Sequence, residues 1–142
     1  MRAWLIAVFW VLTSCASVTA APTFPIAELK VADFTIPVQL AATPELRARG
    51  LMFQEKAEPG MLLVYRQPEP ISLWMRNTSM PLDVAFIDGD WKIHVIKPLE
   101  PFDETPISSD IAVIAALEMP RGWFEQHNVI AGTQLRLLTR ID

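Results

Sequence analysis

The sequence predicts a mainly β (α+β) fold, a single compact antiparallel β-barrel or sandwich with two short helices. Three observations carry that expectation. Apolar residues recur either at every second position or in short unbroken runs, the signatures of half-buried and fully buried strands. Gly, Pro, Asn and Asp punctuate these runs at short intervals, as turns require. Helix start and stop residues flank only two short stretches, near Pro44 and Trp123. About seven or eight strands in about 120 residues, with no internal repeat, heptad run or low-complexity tract, make one core and one domain.

Element by element, residues 21–30 read as a loose N-terminal segment and residues 31–142 as the β-rich domain. Phe34, Ile36, Val38 and Leu40 alternate with Thr35, Pro37 and Gln39, a half-buried strand that Pro37 assigns to an edge or a bulge. Thr43-Pro44-Glu45 supplies a capping hydroxyl, a first-turn Pro and an acid, and Gly50 a stop, so a helix of about two turns follows. Residues 60–66 and 71–76 read as two buried strands joined by a turn at Gln67-Pro68-Glu69-Pro70. Asp88-Gly89-Asp90 marks a hairpin whose second arm carries His94 and Lys92 on its wet face. Residues 99–110 read as an acidic surface loop and residues 111–118 as a buried strand. A helical turn at residues 122–127, a tight turn at Gly132 and a last strand over residues 134–140 complete the chain.

Export is the second expectation. Arg2, the apolar run of residues 3–12 and the small residues after it have the pattern of a signal peptide over residues 1–20. The run falls short of the roughly 20 residues of a membrane-spanning helix. Two cleavage points compete: before Cys15, where Leu12-Thr13-Ser14-Cys15 resembles a bacterial lipobox and would lipidate Cys15, and before Ala21 after Val18-Thr19-Ala20. The mature chain is then periplasmic or envelope-bound, and any membrane attachment is an N-terminal lipid anchor. Losing Arg2 turns 12 basic against 16 acidic residues into 11 against 16, a net −5. That balance, with a pI near 5.1, argues against a nucleic-acid partner. One Cys excludes an intramolecular disulfide framework and Cys-cluster metal sites.

Several segments, Arg47-Ala48-Arg49-Gly50-Leu51-Met52, Gly60-Met61-Leu62, Trp74-Met75-Arg76-Asn77-Thr78, Pro81-Leu82-Asp83 with Phe86-Ile87-Asp88, and Leu117-Glu118, stand in a shared order and spacing. In these the chain resembles the domain-of-unknown-function 192 family, over about residues 31 to 138. The resemblance implies a small exported or envelope-associated domain with no established reaction. The chain departs from the family's usual residues at Gln54 (usually Arg), at Leu63 (usually Phe) and at Met119-Pro120-Arg121-Gly122, where small residues usually precede the Gly.

Three functions compete on these residues. The first is non-enzymatic binding of a small ligand or an envelope protein in a cleft walled by Trp74 and rimmed by Arg47, Arg76, Asn77 and Asp83, with Met52, Met75 and Thr78 beside them. The structural alternative makes Trp74 and Met75 core, and Asn77 and Thr78 turn formers. The second is a hydrolase or lyase using Asp83 and Glu118, the two acids inside otherwise apolar strands. Its structural alternative pairs each acid with an arginine, Arg47 or Arg76 being the obvious donors. The third is a Cu(I) carrier, by likeness to small periplasmic copper carriers, drawing on Met52, Met61, Met75, Met80 and Met119; ordinary core packing is the alternative. No cofactor is predicted, and the sequence holds no GxSxG, HExxH or Gly-rich phosphate loop. Glu100, Asp103, Glu104 and Asp110 do not have the spacing of a calcium loop.

Overall fold

A computed structural model describes residues 21–141. The signal-peptide and Cys15 expectations lie outside the described residues. Seven strands and two short helices follow in order: β1 (Ile26–Val31), β2 (Phe34–Ala41), α1 (Pro44–Arg49), β3 (Met61–Leu73), β4 (Leu82–Ile87), β5 (Ile93–Leu99), β6 (Ile107–Pro120), α2 (Trp123–Gln126) and β7 (Leu135–Leu137). The strands form one curled sheet in the order β5-β4-β6-β3-β2-β1-β7. Every pairing is antiparallel except β2 with β3, where Gln39, Leu40 and Ala41 lie opposite Met61, Leu62 and Leu63 in parallel. The two edge strands approach each other at one corner. Lys92 bridges to Gln134, Ile93 N–H donates to Thr133 O at 3.0 Å, and Leu135 N–H donates to Trp91 O at 2.8 Å. The sheet is therefore a half-barrel tied at one end, which blunts edges that would otherwise offer unpaired backbone groups.

Alternation divides the apolar residues into two cores on the two faces of this sheet. The inner core draws on all seven strands, among them Leu29, Val38, Leu62, Ala85, Ile93, Leu117 and Leu135, and is capped by Phe124 of α2. The outer core packs Met61, Leu63, Val84, Phe86 and Ala116 beneath Leu51, Ala57 and Met75, which come from the segments following α1 and β3. Phe86 is fully buried there. Among the described residues no helix is long and apolar enough to cross a membrane.

Four sequence expectations need correction. Residues 26–30, expected within the loose N-terminal segment, join Val31 in β1, where Ala27, Leu29 and Val31 are buried against β2 and β7. The two strands expected over residues 60–66 and 71–76 are a single β3, which runs through the prolines with register shifts between Val64 and Glu69 and between Pro70 and Ser72. β6 begins at Ile107, which shortens the expected acidic loop to residues 100–106. The last strand covers only Leu135–Leu137 of the expected residues 134–140. Helix α1 has the expected caps: the Thr43 hydroxyl accepts from Leu46 N–H at 3.3 Å, and Gly50, at φ 49°, donates its N–H to Leu46 O at 2.9 Å.

Asp83 and Arg121 lock the end of the sheet. Arg121 Nε lies 2.9 Å from Asp83 Oδ1, and the same guanidinium donates to Leu82 O at 3.1 Å and to Leu99 O at 2.9 Å. The second Asp83 oxygen accepts from Gly122 N–H at 2.7 Å. Charged hydrogen bonds of this kind contribute about 1.5–3 kcal/mol each where both partners are desolvated. Arg121→Ala is expected to cost about 2–3 kcal/mol, read as a lower urea midpoint with unchanged slope. A change within about 0.5 kcal/mol would show the cluster to be a solvated surface pair.

Candidate functional site: a cleft floored by Glu118

Helix α1 is held against the sheet by Arg47, whose Nη1 donates to Ala42 O at 3.0 Å and Val64 O at 2.9 Å, while its guanidinium lies 4.5 Å from the centre of the Tyr65 ring. On the other side, the chain leaving β3 turns sharply. Asn77 takes a left-handed φ of 54°, Thr78 N–H donates to Met75 O at 3.1 Å, and the Thr78 hydroxyl donates to Arg76 O at 3.2 Å. Met75 N–H donates to Asp103 O at 2.7 Å and Phe53 N–H to Asn77 O at 2.9 Å, which fastens this turn to two neighbouring loops. Between α1 and the turn lies a cleft of about 230 Å³, with Arg47, Arg49 and Met52 along one wall, Trp74 and Thr78 along the other, and Leu63, Tyr65 and Glu118 on the sheet beneath.

Glu118 is the chemical centre of this cleft. It is 6 % exposed, sits on β6 opposite Met61 of β3 and Val84 of β4, and shares their face of the sheet. Among the described residues its carboxyl has no salt-bridge partner and no side-chain hydrogen bond: Arg47 directs its Nη1 to two backbone carbonyls and Arg76 lies beside Glu104. Burial pushes this carboxyl up to about 7. Tyr65, on the same face, lies within electrostatic reach of both Arg47 and Glu118; burial raises its phenol, with Arg47 acting in the opposite direction. A carboxyl that titrates near neutrality in a water-accessible cleft can accept a hydrogen bond, neutralise a cation or exchange a proton with an occupant.

The structure brings together only part of the expected site. Of the expected cleft residues Arg47, Met52, Trp74 and Thr78 line it, joined by Glu118, whose only expected function was as an acid working with Asp83. Met75 lies beneath it in the outer core, 2 % exposed. Arg76 points to solvent, 5.5 Å from the Trp74 ring centre and 3.7 Å from Glu104. Asn77 forms the turn without lining the cleft. Trp74 is 44 % exposed, so it is a wall rather than core.

Asp83 is placed elsewhere altogether. It stands opposite Met119, and Val84 stands opposite Glu118, so the two acids project from opposite faces of the β4–β6 ladder and share no site. The arginine of Asp83 is Arg121, not Arg47 or Arg76. The methionines are likewise divided: Met61 and Met75 belong to the outer core and Met119 to the inner one. Sequence reading missed Arg49 and Tyr65. Tyr65 was legible as the next same-face residue after Met61 and Leu63. At Gln54, where the family usually shows Arg, the side chain exchanges two amide hydrogen bonds with Gln39 at 2.9 and 3.0 Å. At Leu63, a Phe would take up part of the cleft.

Fold and cleft together define a class: a small β-rich domain whose curled sheet carries a polar-floored cleft beneath a short helix. The chain belongs to the domain-of-unknown-function 192 family, described as an uncharacterized ACR, whose profile matches residues 27–137. No curated protein matches it. Similar solved structures include two bacterial proteins. One is a Sinorhizobium meliloti 1021 protein provisionally assigned as a transcription regulator, 28% identical, covering 83% of this chain and 98% of its own, with a TM-score of 0.78. The other is a protein of unknown function from Novosphingobium aromaticivorans DSM 12444, 28% identical, covering 84% of this chain and 94% of its own, with a TM-score of 0.73.

Proposed function

We propose that the chain is an exported, non-enzymatic binding domain of the cell envelope, and that the cleft between α1 and the Trp74 turn takes a small ligand. One observation carries the reading: a glutamate more than nine-tenths buried, its carboxyl without a partner among the described residues, on the floor of an open cleft. Burying such a group without a countercharge opposes folding, and an occupant that pairs with it in the cleft would offset that cost. The segments that carry the family resemblance, Arg47 to Met52 in α1 and the following turn, Trp74 and Thr78, and Glu118, meet at this cleft. Export rests on the signal-like residues 1–20. A hydrolytic reading on two carboxylates is disfavoured because Asp83 and Glu118 face apart. A regulator reading taken from the Sinorhizobium meliloti protein would need a basic face, for which 16 acidic against 12 basic residues argue poorly.

Mass spectrometry of the protein recovered from its own envelope, under native and then denaturing conditions, tests both halves. An acylated chain starting at Cys15, or a bare one starting at Ala21, supports export; an intact N-terminus overturns it. An extra mass that leaves on denaturation supports a ligand, whereas a bare native mass together with a cross-linked envelope protein moves the function to partner binding. Trp74→Ala is expected to weaken the bound species at least about ten-fold while lowering stability by less than about 1 kcal/mol. Unchanged affinity would remove Trp74 from the site.

A further inference from the structure

The charges around the cleft are separated in a way that restricts its occupant. The acid is at the bottom, Glu118 on β6, and two guanidiniums come from the last turn of α1, Arg47 and Arg49, with the Tyr65 ring on the sheet 4.5 Å from the Arg47 guanidinium. Arg47 is fixed by its two carbonyl partners through Nη1, and Arg49 rests 4.6 Å from the Phe53 ring centre. The volume, about 230 Å³, is below the roughly 300–1,000 Å³ of pockets that hold drug-sized molecules. Leu63, Met52 and Trp74 leave an apolar flank.

Resting on the binding reading above, we propose that the occupant is a neutral α-amino acid, its ammonium on the Glu118 carboxylate and its carboxylate toward Arg47 and Arg49. The ammonium supplies the countercharge that the fold withholds from Glu118, and the guanidiniums supply donors suited to a carboxylate. A metal ion fits less well, because hard cations need several oxygen ligands and the cleft offers one carboxylate side chain. A neutral polyol would hydrogen-bond Glu118 but leave the two guanidiniums without an anion, and a simple amine would do the same.

Calorimetric titration of the full mature protein with each of the twenty standard L-amino acids, with the 2-hydroxy acid matching each one that binds, and with glycerol tests this. At least one neutral amino acid is expected to bind. Its 2-hydroxy-acid counterpart, which keeps the carboxylate and loses the ammonium, is expected to bind about ten- to a hundred-fold more weakly, the worth of a hydrogen bond to a charged group. Glu118→Gln should erase that discrimination, and Arg49→Gln should weaken amino acid and hydroxy acid alike. Urea unfolding of each variant separates lost binding from lost folding.

Equal binding of amino acid and hydroxy acid, preference for glycerol, or silence across the panel at millimolar concentration overturns the amino-acid class. The wider reading fails on different evidence: a bound native mass that is not an amino acid sinks only this proposal, whereas a bare native mass together with a cross-linked envelope protein sinks both.

Discussion

Glu118→Gln is expected to make the protein more stable above neutral pH, by about 3 kcal/mol at most, and to leave it no more stable below pH 4.5. The cause is the upward displacement of the Glu118 carboxyl from 4.5 to about 7 by burial. Between those two values the folded chain keeps a proton that the unfolded chain has lost, so stability falls as pH rises through the window and then levels. The span from 4.5 to about 7, at about 1.36 kcal/mol per pH unit, gives the ceiling. Gln has the same shape without the charge, so its stability curve should lack this slope. Arg47, Arg49 and Tyr65 are the other titratable groups lining the cleft with Glu118, and a guanidinium stays charged throughout the range. Urea denaturation of both proteins from pH 4 to pH 8 provides the measurement. Parallel curves would mean that the carboxyl is solvated or paired, and with it would go the central observation of the binding reading.

The cleft was half legible in the sequence. Arg47, Trp74 and Glu118 stand out as charged or aromatic residues beside apolar runs, and all three line it. Which of them share a face depends on strand register, and a slip of one residue reverses every side chain. Asp83 and Glu118 look equivalent along the chain. Only the pairing of Val84 with Glu118, and of Asp83 with Met119, shows that they face apart. Arg121 could not be named as the partner of Asp83 for the same reason, since β4 and β6 meet only in the folded sheet.

The fold was legible where the local pattern matched its environment. β2, the β4–β5 hairpin and α1 follow from alternation, turn residues and caps. β1 was hidden by Pro22 and Pro25 just before it, although Ala27, Leu29 and Val31 alternate with Glu28 and Lys30. β3 was cut in two because Pro68 and Pro70 read as a turn. They are tolerated because β2 pairs with β3 only as far as Leu63, so beyond it the flank facing away from β6 has no strand partner, and a missing N–H costs nothing on an unpaired edge. The parallel β2–β3 pairing and the Lys92–Gln134 tie are long-range facts with no local signature.

Gly60→Ala is expected to be the most damaging small substitution near the cleft, at about 3–5 kcal/mol. Gly60 opens β3 at φ +94°, a conformation that carries strain for any residue with a Cβ. An added Cβ would also overlap the Met119 sulfur and come within 3.0 Å of Glu118 O, so the backbone of β6 must move where it presents Glu118 to the cleft. Gly132 provides the control. Its φ is +89°, yet nothing lies within 4 Å of the added atom, so Gly132→Ala should cost only the backbone strain, about 1–2 kcal/mol. The difference between the two alanines isolates the clash. Shortening Met119 in the Gly60→Ala background should recover part of that difference, because the sulfur is the movable neighbour, while the contact with Glu118 O remains. If both glycine variants lose the same stability, the close approach of β3 to β6 at Gly60 carries no energy, and the positive φ alone accounts for the glycine.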